Sequence, residues 1–106
     1  MDKRAAVRVP VRARAQFRVE GLVVDGLVED VSRSGLFMRV PAHLDLGSAA
    51  ELDLDLPGEE TMRLTAEVVR VEHEPQPGIG LRFVGDTDRQ RRPLANFIMR
   101  QHAVGR

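Results

Sequence analysis

From Val11 to Val19 the chain alternates without a break. Val11, Ala13, Ala15, Phe17 and Val19 fall on one face and Arg12, Arg14, Gln16 and Arg18 on the other, the period of a half-buried strand. Glu20-Gly21 supplies a turn, and Leu22 to Val31 forms a second apolar segment, interrupted at Asp25-Gly26 by either a turn or a bulge. Gly35 opens a third, GLFMRV, in which Leu36, Met38 and Val40 alternate with Phe37 and Arg39 until Pro41 ends it. Beyond a loop containing Gly47, Leu52, Leu54 and Leu56 alternate with Asp53 and Asp55 between Glu51 and the Pro57-Gly58 turn. Thr61 to Glu72 puts Met62, Leu64, Ala66 and Val68 on one face and breaks step at Val68-Val69, as a bulge does. GIGLRF closes the series with Ile79, Leu81 and Phe83 inward.

Six short strands with tight turns and no helical periodicity between them predict an antiparallel barrel or sandwich, and closure into a barrel removes exposed sheet edges. After Gly85 the period changes. Thr87 and Gln90 read as a capping box, and Leu94, Phe97, Ile98 and Gln101 fall at helical spacing, which predicts a helix from Pro93 to about His102 with Pro93 at its first position. The fold class is therefore all-β with a C-terminal helix. Residues 1–10 form a basic arm, 11–85 the strands, and 86–106 the final turn and helix.

Composition narrows the chemistry. A chain of 106 residues supports one domain. It has no Cys, which removes thiol nucleophiles, disulfides and Cys-based zinc sites and fits a reducing, cytoplasmic setting. No run approaches the roughly 20 apolar residues of a membrane helix, so membrane insertion is not expected. Sixteen basic and sixteen acidic side chains cancel overall but not locally. Residues 1–20 carry +4, residues 21–85 carry −7 and residues 86–106 carry +3. A basic arm beside an acidic body suits an anionic partner, and it equally suits a solvated first strand.

Three segments carry possible chemistry: Arg4-x-x-x-Arg8, Asp30-Val-Ser32-Arg-Ser-Gly35, and Gly78-Ile-Gly-Leu-Arg-Phe83. Each has a plain structural reading; the second, for example, resembles a strand-to-strand turn with side-chain bonding and a left-handed Gly. Taken together they form a complementary set. Arginine offers a planar fork to phosphate or to the O6/N7 edge of guanine and stacks on the base, while an ionised Asp accepts from the N–H donors of the opposite edge.

With Arg4 and Arg8 followed by Asp30, Ser32 and Gly35, the chain resembles the PilZ domain family, receptors for the bacterial second messenger cyclic di-GMP. The segments GLFMRV, LGSAAELDLDLP, RLTAEVVRV and GIGLRF follow the family's strands in order, so the resemblance spans nearly the whole chain. It implies a six-stranded antiparallel β-barrel of the split, PilZ type with a C-terminal helix, and an arm that closes over the nucleotide. By the same resemblance Arg4 and Arg8 grip guanine and phosphate, Asp30 and Ser32 make further guanine contacts, and Gly35 lets the backbone approach. Lys3 stands where many members carry another Arg, keeping the charge without the fork. Members hold one ligand or a stacked pair, and Lys3 bears on which. Ser34 replaces a common Gly. No cofactor is expected beyond the ligand, and the output is expected through an unidentified effector protein.

Competing readings are weaker. His43, His73 and His102 have no paired metal-ligand spacing, and no nucleophile and base share a recognisable context, so an enzyme is not expected. A PilZ-like adaptor that docks a protein without nucleotide is the alternative, but such members usually lack one of the motifs present here. Nucleic-acid binding through the arm and Arg89, Arg91 and Arg92 is disfavoured by the scarcity of aromatics for base stacking.

Overall fold

The structure is a computed structural model and describes residues 7–41, 44–85 and 89–104. Its strands are β1 (Val9–Val19), β2 (Leu22–Val31), β3 (Gly35–Arg39), β4 (Ala49–Asp55), β5 (Met62–Glu72) and β6 (Gly78–Phe83), followed by helix α1 (Arg92–Val104). Neighbours pair antiparallel all the way round in the order β1-β2-β3-β6-β5-β4, so the sheet closes and presents no unpaired edge. The predicted barrel with a C-terminal helix is the architecture found.

The alternation read from β1 fills the interior. Ala13, Ala15 and Phe17 meet Leu52, Leu54, Leu64, Val68 and Leu81 in one core, and helix residues Leu94, Phe97 and Ile98 are buried with it. β1 starts at Val9, two residues before the alternation predicts, because Val9 pairs with Val31 and is itself buried. The β1–β2 hairpin turns through Glu20 and Gly21, both at positive φ (49° and 81°), the two-residue turn whose twist matches its flanking strands.

Asp25-Gly26 is neither turn nor bulge: β2 runs through it. Gly26 faces Met38, where an added Cβ would lie 2.1 Å from Met38 Cε, so the glycine makes room for a core side chain. The irregularity in β2 falls at Glu29 instead, between the Val28 and Asp30 pairings to β3, and β1 is bulged opposite it between Pro10 and Ala13. The bulge expected in β5 is present between Val68 and Arg70.

Helix α1 begins one residue before Pro93, which takes the second position. Its ring costs nothing there, because an N–H in the first turn has no intrahelical acceptor. Thr87, the expected cap, lies outside the described residues. The helix closes the barrel end that also holds the start of β1, the β2–β3 and β4–β5 turns and the end of β6. Arg91 donates to the Arg33 carbonyl at 3.4 Å near the helix start, and Arg100 pairs with Glu59 near its last turns. No helix among the described residues is long and apolar enough to cross a membrane.

Candidate functional site

The bulge at Glu29 decides where Asp30 points. Val28 and Val31 are both fully buried although three residues apart, so the extra residue reverses the inward parity and turns Asp30 outward. Its carboxylate there meets Arg8, with Oδ1 2.7 Å from Nη2 and 3.0 Å from Nε. Residues 22 apart in sequence thus form a charge-assisted pair on the rim of the barrel end, with half of the Arg8 side chain still exposed.

The β2–β3 turn is built on Ser32. Its N–H donates to the Gly35 carbonyl at 2.8 Å. Its hydroxyl accepts from the N–H groups of Ser34 and Gly35, both at 3.2 Å, and donates to the Gly35 carbonyl at 3.3 Å. Ser32 is 0 % exposed, so its hydroxyl holds the turn that presents Asp30 and is already bonded within it. Gly35 is not left-handed. It is required for space, because an added Cβ would stand 2.1 Å from the Leu81 carbonyl oxygen on β6.

Beside this turn, the outer wall of β3, β6 and β5 forms a hollow of about 430 Å³. Arg8, Gly35, Phe37, Arg70, Gly80 and Arg82 are among its lining residues. Alternation predicts Phe37 on the outer face, and it is there, yet only 4 % exposed. It lies against Gly78 and Gly80, with the guanidinium carbons of Arg39 and Arg70 4.8 and 4.9 Å from its ring centre. Arg70 and Arg82 are held by Glu72 (2.7 Å) and Glu67 (2.6 Å). The hollow therefore has an aromatic floor, two glycines that keep it flat and three arginines at its sides. Sequence reasoning missed Arg70, and it singled out Arg82 only as part of the Gly78–Phe83 segment. The break at Val68-Val69 was the available signal, since a bulge resets which residues of β5 face outward, but no local pattern says that β5 and β6 stand beside the β2–β3 turn.

A larger hollow of about 680 Å³ lies on the outer wall of β3, β2, β1 and β4, among Arg14, Gln16, Asp25, Arg39 and Asp53. Much of its polar lining is spent internally: Gln16 donates to Asp25 at 3.0 Å and Arg39 to Glu29 at 2.9 Å. Asp53 accepts from Arg63 and Arg18, and these two hydrogen bonds hold its carboxyl at about 2, below the usual 3.8. Asp53 in turn raises Arg63.

Of the residues expected at the site, Arg8, Asp30, Ser32 and Gly35 gather at one barrel end. Lys3 and Arg4 lie outside the described residues, as does His43. Among the described residues no group of three or more His, Cys, Asp or Glu is placed to hold a metal ion.

The chain is thus a closed six-stranded barrel, capped by a helix, that carries a guanidinium–carboxylate pair beside a flat, arginine-lined hollow. The PilZ domain model matches residues 2–100, and the chain belongs to that family. No curated protein matches it. Among solved structures it is similar to the PilZ domain of YcgR from Escherichia coli with c-di-GMP, with 14 % identity, TM-score 0.81, and 99 % of this chain and 95 % of that one covered. It is equally similar in fold to the Bacillus subtilis inhibitor of motility, MotI/DgrA, with 21 % identity and TM-score 0.81. All of this chain is covered there but 55 % of that protein, so the chain spans about half its length. The PilZ domain of CeSA from a cellulose-synthesizing bacterium aligns at 20 % identity and TM-score 0.67, over 94 % of this chain and 99 % of that one.

Proposed function

We propose that this domain binds cyclic di-GMP at the barrel end formed by Arg8, the Asp30 turn and the hollow on β3, β6 and β5, and signals to a partner protein in the cytoplasm. One observation carries the reading: the Glu29 bulge turns Asp30 outward beside Arg8, so an acceptor-only carboxylate and a donor fork stand together at the mouth of a flat cationic hollow. Asp30 suits the N–H edge of guanine, and Arg8 suits its O6/N7 edge or a phosphate. The Arg70 guanidinium offers a planar face for stacking. Lys3 and Arg4, outside the described residues, are assigned to the ligand by the family resemblance alone. Membership of a family of receptors and adaptors, together with a fold shared with a c-di-GMP-bound PilZ domain, supports a binding module rather than an enzyme.

The test is titration calorimetry of cyclic di-GMP into the wild type and Arg8→Ala, with GTP as control ligand. Saturable heat in the wild type and an affinity at least about tenfold weaker in Arg8→Ala are expected, because a bidentate charged contact contributes about 1–3 kcal/mol of recognition. Equal affinity in the two proteins removes Arg8 from the site. No heat from a folded wild type leaves the nucleotide-independent adaptor, and the molar ratio separates one ligand from a stacked pair.

A further inference from the structure

A second hollow, of about 320 Å³, lies on the other side of the β2–β3 turn and is lined by Arg33, Arg91, Arg92, Leu94 and Ala95. Arg33 projects from the turn itself, while Arg91 and Arg92 come from the start of α1, more than fifty residues later. We infer that this hollow docks a carboxylate-bearing segment of a partner protein.

Charge accounting sets it apart from the wall of β3, β5 and β6. On the barrel wall every arginine of β3, β5 and β6 faces a carboxylate: Arg39 with Glu29, Arg63 with Asp53, Arg70 with Glu72 and Arg82 with Glu67. Among the described residues no carboxylate pairs with Arg33, Arg91 or Arg92. Arg91 is also fixed in place, its guanidinium 5.6 Å from the Phe83 ring centre and one Nη donating to the Arg33 carbonyl. Its Nε is buried without an acceptor among the described residues. Arg33 and Arg92 are exposed and complete a fork of positive charge around buried Leu94.

The shape of this charge selects an acidic peptide over a nucleic acid. It is one compact hollow with an apolar floor, which suits a Glu or Asp side chain with its stem, rather than a track along the surface. Phe83 is buried beneath Arg91 and offers no face for base stacking. The turn that forms one wall of the proposed nucleotide hollow through Ser34 and Gly35 forms a wall of this one through Arg33. The docking hollow does not depend on the receptor reading.

The experiment is fluorescence anisotropy of a fluorescein-labelled hexaglutamate peptide titrated with the full chain at low salt and without nucleotide. Saturable binding is expected, weakened on the order of tenfold in Arg33→Gln/Arg92→Gln and unchanged in Arg12→Gln/Arg14→Gln, which removes two exposed charges from the barrel wall. Both double variants change exposed side chains only, so the fold is retained, and circular dichroism checks it. No saturable binding, or equal weakening in both double variants, overturns the inference. Tighter binding of a single-stranded oligonucleotide that depends on Arg33 and Arg92 assigns the hollow to nucleic acid and overturns it too. Competitive displacement of the peptide by cyclic di-GMP places the hollow inside the nucleotide site, with the same consequence. Because the peptide titration contains no nucleotide, its failure leaves the receptor reading standing, and absence of cyclic di-GMP heat in the calorimeter leaves the docking result standing.

Discussion

Gly35→Ala tests whether the glycine of the Asp30 turn is held by the barrel or by a ligand. The added Cβ would stand 2.1 Å from the Leu81 carbonyl oxygen and 3.1 Å from its carbonyl carbon, whereas ordinary contact begins near 3.4 Å. β3 and β6 would have to part by about 1.3 Å at this point. The Phe83 N–H to Ser34 carbonyl bond at 2.8 Å and the ladder bonding of the Leu36–Leu81 pair, on either side of Gly35, do not survive such a stretch. Two buried bonds at about 1 kcal/mol each, with overpacking strain of about 1–3 kcal/mol, give a loss of about 3–5 kcal/mol. A domain of this size holds about 5–15 kcal/mol in total. With a urea slope of about 2 kcal/mol/M the midpoint falls by about 2 M. Gly80→Ala is the matched control in the neighbouring strand: its Cβ comes no nearer than 3.2 Å, to the Arg70 Cβ, with Phe37 Cδ1 at 3.9 Å, so β5 need yield only a few tenths of an ångström and the loss stays below about 1 kcal/mol. Urea unfolding of both variants without nucleotide decides the matter. A loss below about 1 kcal/mol in Gly35→Ala, or one equal to that of Gly80→Ala, refutes the steric account and returns the glycine to the ligand.

Ser32→Ala strands two turn N–H groups and is expected to cost about 1–3 kcal/mol in the same assay, with cyclic di-GMP affinity falling because Asp30 loses its support; full stability with lost affinity would instead make the hydroxyl a direct contact. Asp53→Asn is expected to lose about 1 kcal/mol at neutral pH after allowance for solvent screening. Because the folded-state carboxyl sits at about 2, below its unfolded value, the stabilisation is complete above about pH 4 and fades as pH falls toward 2, so urea midpoints of wild type and variant should converge there; a gap constant with pH contradicts this. Phe97→Ala empties a site that is 1 % exposed and should cost about 3–5 kcal/mol, with chemical denaturation and near-ultraviolet dichroism reporting loosening of the helix from the barrel.

Period-two alternation placed six strands and helical spacing placed α1, because burial of one face is a local constraint written residue by residue, as in Ala13, Ala15 and Phe17 or Leu94, Phe97 and Ile98. The two motifs were equally legible, since residue type alone says that arginine forks and an aspartate complement a guanine nucleotide. Periodicity alone left barrel and sandwich open and only the family resemblance pointed to closure, because the pairing of β1 with β4 and β3 with β6 depends on contacts between distant segments, which no short window contains. The bulge at Glu29 was hidden for the same reason, since the sequence marks Asp25-Gly26 more strongly, yet the partner strands place the extra residue four positions later and so turn Asp30 outward toward Arg8. Ser32 and Gly35 drew notice as candidate ligand contacts. Tertiary structure gives each a local cause, a buried hydroxyl bonded within its own turn and a backbone pressed against the Leu81 carbonyl. Arg70, the place of Arg82 beside the turn and the Arg33–Arg91–Arg92 hollow emerged only once the barrel had brought β5, β6 and the helix start to the turn between β2 and β3, because charge is a property of a residue and a site is a property of neighbours.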